Sequence, residues 1–425
     1  MPSVPQRVPA STHGIDPTLL DANSLEVIAK LRSAGFDAYL VGGCVRDLLL
    51  GEIPKDFDVA TDATPEEVKG VFRRARLVGR RFRIAHVRFG REIIEVSTFR
   101  KGESSLVELN SDGMILSDNE YGTLAEDALR RDFTINALYY DPLSGDLLDY
   151  VDALKDLKAR RIAFIGQVDV RLAEDPVRAI RALRFKAKLK FDVADSIHSA
   201  LPEAARRLQA IPSARLFEEF NKLFLLGYAH AAWHVISSSP LHQALFPGTL
   251  PASELVSKAM RNTDARIAAG KPATPGFLLA VLLWEDYVAR MHRFMPMHPA
   301  IVASNLAADQ SIAVQTSVIA IPRRYSTFVR EVWSLQPRLE EPSPKTLERL
   351  VSHKRFRAAY DLLDLRAQID PALTPMFDWW TKYQAQPDLR ADLVASLPRA
   401  RTPASGRRRR RSRKGAGTGV SILVP

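Results

Sequence analysis

The sequence predicts an α+β head, with a mixed sheet and flanking helices, followed by an all-α neck or body and a helical C-terminal region. Up to about Leu148, short apolar stretches with strand periodicity alternate with helical segments, which is typical of a mixed α+β layer. After Asp156 the apolar spacing becomes helical and stays so to Leu397, with prolines between the helices. The limits that follow are a flexible N-terminus at 1–21, a head at 22–148, a helical neck at 149–248, a helical C-terminal domain at 249–398 and a disordered tail at 399–425.

A pair of glycines marks the first functional feature of the head. Residues 37–41 are apolar enough for a strand, and residues 44–50 have a helical composition. Between them Gly42 and Gly43 can turn sharply and let the backbone approach a ligand, because neither carries a Cβ. Exposed N–H groups at the start of a helix attract phosphate oxygens. The stretch therefore predicts a phosphate-binding turn.

Two aspartates follow in the next predicted strand, residues 56–61. Strand side chains repeat every two residues, so Asp56 and Asp58 share one face. Paired carboxylates suit Mg²⁺, which takes oxygen ligands and usually shares them with substrate phosphates. Two such ions about 3.5–4 Å apart would activate a hydroxyl and stabilise a departing pyrophosphate. The pair predicts nucleotidyl transfer rather than a surface strand with two solvated acids.

The spacing leaves the third carboxylate open between Glu95 and Asp132. Glu95 lies in a predicted strand at residues 92–98, where it could instead form a salt bridge on an edge strand. Asp132 lies at the mouth of an apparent helix, where it could instead accept bonds from free N–H groups.

Further helices are predicted along the chain. Thr64 and Glu67 form a capping box that opens a helix ending at Phe72. The other helices are predicted at residues 22–34, 176–190, 194–208 and 213–226. His230 and His234 are spaced for one helix face, but no further ligand cluster accompanies them, so packed or surface histidines are favoured over a metal site.

Composition limits the class of protein. The chain has 425 residues and one cysteine, Cys44, so an intramolecular disulfide is impossible and a reducing compartment is expected. No apolar stretch of signal-peptide length begins the chain, and the longest apolar run, residues 277–284, is too short to span a bilayer. A soluble cytoplasmic protein without membrane insertion is expected.

The positive charge is concentrated at the C-terminus. The formal net charge is +11, yet nine lysines and arginines and no acidic residue lie within residues 399–425, which leaves +2 for the rest. Such a segment binds polyanions with a strong salt dependence, and RNA without sequence preference is the favoured partner over an acidic protein or a membrane surface. The predicted RNA-binding residues are Arg407, Arg408, Arg409, Arg410 and Arg411.

Four motifs in order carry a family resemblance. They are Gly42-Gly43-x-x-Arg46-Asp47, Asp56-x-Asp58, the run Arg130 to Leu138, and Glu174-Asp175-Pro176-Val177-Arg178-x-x-Arg181. In these the chain resembles the class II template-independent nucleotidyltransferases, which include tRNA CCA-adding enzymes and bacterial poly(A) polymerases. Residues 54–61 and 77–87 are most similar to the poly(A) polymerase branch, and the resemblance runs from about residue 36 to residue 224.

The resemblance implies roles for individual residues. With the carboxylates considered above, the candidates are Asp56, Asp58 and Asp132 for catalysis, Asp56, Asp58 and Glu95 for metal, and Gly42, Gly43, Arg46, Arg131, Asp175, Arg178 and Arg181 for the nucleotide. Asp175 and Arg178 would read the incoming base, since a carboxylate and a guanidinium offer fixed acceptors and donors. Asp175-Pro176 is typical of a helix start, which places Arg178 one turn into a rigid element. Residues 211–219 resemble the last neck motif and are expected to brace that helix.

One loop departs from the family pattern. Where the family usually has a glycine pair after the strand ending at Asp149, this chain has none from Tyr150 to Leu157. Losing glycine should stiffen a hinge between head and neck.

These features predict Mg²⁺-dependent, template-independent transfer of AMP from ATP to RNA 3′ ends. The alternatives are a tRNA CCA-adding nucleotidyltransferase, which would use the same acids, and a catalytically inactive RNA-binding protein. The intact acids and glycines disfavour the last. ATP, RNA 3′ ends without sequence preference and RNA-decay proteins are the expected partners, and DNA is not.

Overall fold

The computed structural model describes residues 4–79, 83–101, 108–109, 115–117 and 120–397, with the backbone alone at 108–109 and 115–117. The chain forms two compact units, Met1–Ser334 and Leu335–Pro425. In the described ranges, no helix is both long and apolar enough to cross a membrane.

A mixed sheet forms the centre of the head, as the sequence predicts. The strands are β1 Gln6–Val8, β2 Ala38–Val41, β3 Asp58–Thr61, β4 Arg76–Val78, β5 Ile84–Phe89, β6 Glu92–Thr98, β7 Glu108–Leu109, β8 Ile115–Ser117, β9 Leu138–Tyr140, β10 Leu147–Asp149, β11 Arg161–Ile162 and β12 Asp192–Val193. Eight of them form one sheet in the order β1-β10-β9-β2-β3-β6-β5-β4. Only β3 and β6 are parallel within it; the other neighbours are antiparallel.

Helices flank this sheet and build the rest of the chain. They are α1 Ala10–His13, α2 Ala22–Ser33, α3 Gly43–Leu49, α4 Pro65–Val71, α5 Leu124–Arg130, α6 Ala153–Lys158, α7 Val168–Glu174, α8 Val177–Leu189, α9 Asp195–Arg207, α10 Ser213–Phe224, α11 Ala229–Ser237, α12 Leu241–Leu245, α13 Glu254–Ala268, α14 Pro275–Leu282, α15 Trp284–Phe294, α16 Ala300–Thr316, α17 Arg323–Glu340, α18 Leu347–Val351, α19 Phe356–Ala367, α20 Thr374–Ala385 and α21 Arg390–Ala395. The predicted helical character after the head is confirmed. The exception is the short parallel pair β11 and β12, where the extended segments before α7 and after α8 satisfy each other's backbone groups.

The apolar core of the head lies where the central strands meet α5. Val41, Ala60, Tyr139 and Leu148 come from four different strands and form one buried cluster with Ala128 of the helix. Because every second strand residue points to this side, the intervening residues are left for the opposite face. Burial here fixes the register of the strands that carry the polar side chains described below.

Local signals at helix starts are confirmed and extended. Thr64 and Glu67 form the predicted capping box at α4, with Thr64 N–H donating to Glu67 Oε2 at 2.8 Å. Thr123 and Glu126 form a second box at α5, so this helix has a defined start seven residues before Arg130 ends it.

Two expectations need correction. Residues 6–8 are not flexible, because β1 pairs with β10 along Gln6 to Val8 and closes one edge of the sheet. The strand expected at residues 56–61 begins at Asp58 instead, because Asp58 lies opposite Val41 and the partner strand turns away at Gly42.

Candidate active site

The glycine turn after β2 adopts a conformation that needs glycine. Gly42 has φ +81° and ψ −128° and precedes α3, and its N–H donates to the Leu138 carbonyl at 3.3 Å. A Cβ added to Gly42 would lie 3.6 Å from Arg131 Nη1. The guanidinium of Arg131 therefore lies over the turn, and its positive charge is compatible with the predicted binding of phosphate there.

The carboxylates predicted from the sequence gather around β3. The register places Asp58 beside Glu95 on the parallel strand β6, and Glu95 beside His86 on β5. His86 Nε2 lies 3.4 Å from Glu95 Oε1. Desolvation by burial and the nearby charge of Glu95, with a smaller contribution from Asp56, raise the pKa of Asp58 to about 6. The charges of Glu95 and Asp56 therefore both disfavour ionisation of Asp58.

The strand of Glu95 is interior, because β6 lies between β3 and β5. The expected alternative of an edge strand is therefore wrong, but its salt-bridge part agrees with the 3.4 Å contact between Glu95 Oε1 and His86 Nε2. No group of three or more His, Cys, Asp or Glu side chains among the described residues is close enough to hold a metal ion as it stands. The charges of Asp56 and Glu95 thus act on Asp58, but in the described part of the chain these three carboxylates do not form a preassembled set of ligands.

Asp132 lies among arginines. Its Oδ1 accepts from Arg178 Nε and its Oδ2 from Arg181 Nη1, both at 2.6 Å, and Arg171 Nη2 is 3.8 Å away. Desolvation would raise the pKa of Asp132, but the charges of Arg178 and Arg181 outweigh it and hold that pKa below its usual value. Of the two candidate third carboxylates, Glu95 is the one beside Asp58.

Asp175 lies just before the helix that carries Arg178 and Arg181. Its Oδ1 accepts from Val177 N–H at 3.2 Å, and its Oδ2 accepts from Arg215 Nη2 at 2.5 Å. The helix starts one residue later than predicted, because Pro176 is the N-cap, and Arg178 is its second residue instead of lying one turn in. Arg215 belongs to the neck motif at residues 211–219, and Glu219 of the same motif lies 3.5 Å from Arg181 Nε. The contacts of this motif are those of the predicted brace.

Arg46 occupies a different place from the one expected of a nucleotide ligand. Its Nε and Nη2 donate to Asp47 Oδ1 at 2.8 and 2.6 Å, its Nη1 donates to Asn136 Oδ1 at 2.5 Å, and the guanidinium faces the Phe185 ring. Its side chain is 3% exposed. Arg46 therefore holds the side chain of Asn136 in place, and its own guanidinium is buried instead of exposed to a ligand.

A cavity of about 450 Å³ lies between the head and the helices that follow it. Its wall is formed by Ser97, Arg100, Asp127, Arg130, Arg131, Asp132, Phe133, Asn136, Asp175, Arg178, Arg181, Arg184, Phe185, Arg215 and Lys222. Ser97 lies two residues after Glu95 on β6. Arg131 lies next to the glycine turn, and its charge acts on Asp58. A strongly cationic cavity thus borders the carboxylates, as binding of a polyanion next to a metal-dependent reaction requires.

Sequence reasoning missed several residues of this cavity and could not place others. Asp127 had a readable signal, since it precedes Arg131 by four residues on a helix. Tyr139, whose hydroxyl bonds both Asp127 and Arg131, had no signal in the sequence. Residues 80–82, within the segment 77–87 that resembles the poly(A) polymerase branch, and the Arg407 to Arg411 run lie outside the described residues.

Family models match three parts of the chain. Residues 38–163 match the poly A polymerase head domain, residues 190–252 match a model described as the probable RNA and SrmB-binding site of polymerase A, and residues 296–415 match the polymerase A arginine-rich C-terminus. The first match contains the glycine turn and all four candidate carboxylates of the head.

Individual proteins agree with this. Poly(A) polymerase I of Escherichia coli O6:H1 is 40% identical over 96% of this chain and 92% of its own length. The CCA-adding enzyme of Leuconostoc citreum is 38% identical over 82% of this chain and 83% of its own. The CCA-adding enzyme of Bacillus stearothermophilus, solved with CTP, has 26% identity and a TM-score of 0.58 over 84% of this chain and 80% of that one. The resemblance drawn from the motifs is confirmed, and the chain belongs to the poly(A) polymerase family of nucleotidyltransferases.

Proposed function

We propose that the cationic cavity binds ATP beside the carboxylates of β3 and β6, and that the enzyme adds AMP to RNA 3′ ends without a template. The supporting observation is that the cationic cavity lies next to the carboxylates of β3 and β6. Arg131 lines this cavity and its charge also acts on Asp58. The RNA 3′ hydroxyl attacks the α-phosphorus in line, the bond to the β-phosphate breaks, and pyrophosphate leaves. No covalent enzyme intermediate is needed, because positioning and charge neutralisation supply the catalysis.

The residues around Asp58 fit a divalent cation. The mutual repulsion of Asp58, Glu95 and Asp56 is what a cation would relieve, and two or three carboxylates together with triphosphate oxygens complete the ligand set that Mg²⁺ prefers. Bound Mg²⁺ supplies Lewis acidity at the reacting phosphate. We assign Asp56, Asp58 and Glu95 to this role and Asp132 to holding the arginines of α8.

The base of the incoming nucleotide is assigned to Asp175 and Arg178. Arg178 is fixed by Asp132 through Nε and by Glu174 through Nη1, and Asp175 by Arg215. Side chains held in this way can present a constant hydrogen-bonding pattern to a Watson–Crick edge, which replaces a template.

A primer assay tests the assignment. The purified protein is given a non-tRNA RNA primer with ATP alone or CTP alone, and a trimmed tRNA with both. We expect long poly(A) tails on the primer with ATP and no addition of CMP with CTP. The high identity to a CCA-adding enzyme makes the second candidate concrete: repair of the tRNA without primer extension would establish it, and no addition at all would contradict both.

The domain limits and the tail are part of the proposal. We assign residues 22–148 to catalysis, 149–248 to the base and RNA, 249–398 to a helical scaffold and 399–425 to non-specific RNA binding, in a cytoplasmic enzyme. RNA-decay proteins as partners remain a prediction.

The tail assignment predicts a change in salt dependence. Replacing Arg407 to Arg411 by Gln in the full chain should weaken RNA binding and reduce the slope of log K against log salt by up to about 3.5, since each phosphate contact contributes roughly 0.7. Binding titrations at several salt concentrations measure this. Arg7 and Lys30, exposed cations outside the segment assigned to RNA that pair with Asp146 and Glu26, give the control. An unchanged slope in the tail variant would show that the tail does not contact RNA.

A further inference from the structure

Arg131 is held by two side chains that no motif includes. Its Nε donates to Tyr139 Oη at 2.8 Å and to Asp127 Oδ2 at 3.2 Å, and its Nη2 donates to the same Asp127 oxygen at 3.0 Å. The Tyr139 hydroxyl in turn donates to Asp127 Oδ2 at 2.5 Å. The three groups therefore form a closed triangle in which each side chain bonds the other two.

The two supports are anchored in rigid elements. Tyr139 is fully buried in the central strand β9, whose neighbours are β2 and β10. Asp127 lies in α5, and its Oδ1 accepts from the Arg100 N–H at 3.2 Å. A side chain bonded to a central strand and to a capped helix has little freedom to change its rotamer.

The triangle leaves one end of Arg131 directed at the glycine turn. Nη1 has no hydrogen-bond partner among the described residues and lies 3.6 Å from the position of a Cβ on Gly42. This nitrogen can therefore donate to a ligand that lies on the turn.

We infer that Tyr139 and Asp127 are positioning residues that fix Arg131 and present its Nη1 to the triphosphate at the glycine turn. This inference rests on the proposed function, because it gives Arg131 a ligand. Tyr139 is suited to the task since its phenol both accepts from Arg131 and donates to Asp127, which a phenylalanine of the same shape cannot do. Asp127 also offsets the charge of Arg131, so that the guanidinium can stay buried without Asp58.

The alternative is that the triangle serves only the stability of the head. The two explanations differ in what the loss of the phenol hydroxyl does. A purely structural bond would change the free energy of unfolding and leave nucleotide affinity alone. A positioning bond would change the KM for ATP, and only in an enzyme that still has Arg131.

A double-mutant cycle on the full-length enzyme makes this distinction. The variants are Tyr139→Phe, Arg131→Lys and both together, with Tyr140→Phe as the control on the same strand; thermal unfolding, KM for ATP and kcat are measured for each. We expect Tyr139→Phe to raise KM about tenfold, the effect of one hydrogen bond to a charged group. In the Arg131→Lys background the same change should have no further effect on KM. Tyr140→Phe should leave KM unchanged.

Three outcomes overturn the inference, and they are distinguishable. An unchanged KM in Tyr139→Phe, with a raised KM in Arg131→Lys, overturns the positioning role and leaves the proposed function standing. Additive effects in the double variant show that Tyr139 acts elsewhere. An unchanged KM in Arg131→Lys removes the ligand assigned to Arg131 and with it the inference, whereas turnover of ATP by the same variant leaves the proposed function standing. Should Tyr139→Phe fail to fold, Asp127→Asn, which is isosteric, takes its place in the cycle with the same expectations.

Discussion

The two sides of the cavity are organised in opposite ways. Around Asp58 the charges of Glu95 and Asp56 raise its pKa, while Arg131, whose charge offsets part of this effect, is bonded to Asp127 and Tyr139. On α8 the arginines are paired, because Asp132 accepts from Arg178 and Arg181. Like charges therefore dominate around Asp58, and pairs of opposite charge dominate around Asp132.

This contrast predicts opposite stability effects for two aspartates, and the largest effect on activity concerns Asp58. Asp58→Asn should lower the rate of nucleotide addition by at least about a thousandfold, since several kcal/mol of transition-state stabilisation are lost. It should also raise the free energy of unfolding by about 1 kcal/mol without Mg²⁺, because the repulsion from Glu95 and Asp56 falls.

Thermal unfolding with and without Mg²⁺ measures the second part. The wild type should be stabilised by Mg²⁺ and Asp58→Asn should not, since a ligand stabilises only the state that binds it. Asp62→Asn, one residue beyond the other end of the same strand, is the control, and it should keep both activity and the response to Mg²⁺. A destabilised Asp58→Asn would contradict the view that like charges dominate around Asp58.

Asp132→Asn should behave in the reverse way. The change replaces a carboxylate that Arg178 and Arg181 share by a neutral amide with one acceptor oxygen, in a half-buried position, so the free energy of unfolding should fall by about 3 kcal/mol. Activity should fall about a hundredfold because the arginines lose their geometry. Chemical denaturation and steady-state kinetics test both.

An exposed pair of arginines provides the matched control for Asp132. Glu203 also bonds two arginines, Arg206 and Arg207, but on the solvent side of α9. Glu203→Gln should therefore cost less than about 1 kcal/mol and leave activity unchanged. Equal losses in the two variants would show that the buried arrangement around Asp132 has no special role.

Arg46 supplies a smaller test of the side that carries pairs of opposite charge. Arg46→Lys cannot reproduce the fork that joins Asp47 to Asn136, so Asn136 should lose its fixed orientation at the cavity wall. We expect KM for ATP to rise about fivefold with little change in kcat, the effect of about 1 kcal/mol of lost binding. Arg32→Lys, which breaks a comparable set of bonds far from the cavity, should lower stability alone. A KM that stays constant in Arg46→Lys would limit Arg46 to a structural role.

The sequence was informative where chemistry depends on local spacing. The glycine turn, the strand with Asp58, the capping box at Thr64 and the helix start at Asp175 each depend on residues a few positions apart, and each was found, the helix start to within one residue. The choice between Glu95 and Asp132 was not accessible, because it depends on which strand lies beside β3 and on arginines 46 and 49 residues away in the chain. Tyr139 was missed for the same reason, since nothing near it in the sequence marks a buried hydroxyl as functional.

The connection between the two sides gives the smallest expected effect. In the loop where the family usually has a glycine pair, Asp152 adopts φ +57°, a left-handed conformation that costs a non-glycine residue about 1 kcal/mol or more. Asp149 meanwhile accepts from the N–H groups of Val151, Ala153 and Leu154, at 2.9 to 3.0 Å, and these bonds hold the loop without help from Asp152. Stiffness here therefore comes from Asp149 as well as from the missing glycine.

Asp152→Gly separates these two sources of stiffness. Relief of the left-handed strain and the greater freedom of glycine in the unfolded chain nearly cancel, so the free energy of unfolding should rise by about 0.5 kcal/mol or less. Because the three bonds to Asp149 remain, amide exchange at residues 151–154 should stay slow and kcat should not change. Lys190→Gly, at φ +56° on the end of α8, is the control for backbone strain alone. Faster exchange and a higher kcat in Asp152→Gly, absent from the control, would mean that head and neck move during turnover and that the absent glycine pair limits that motion.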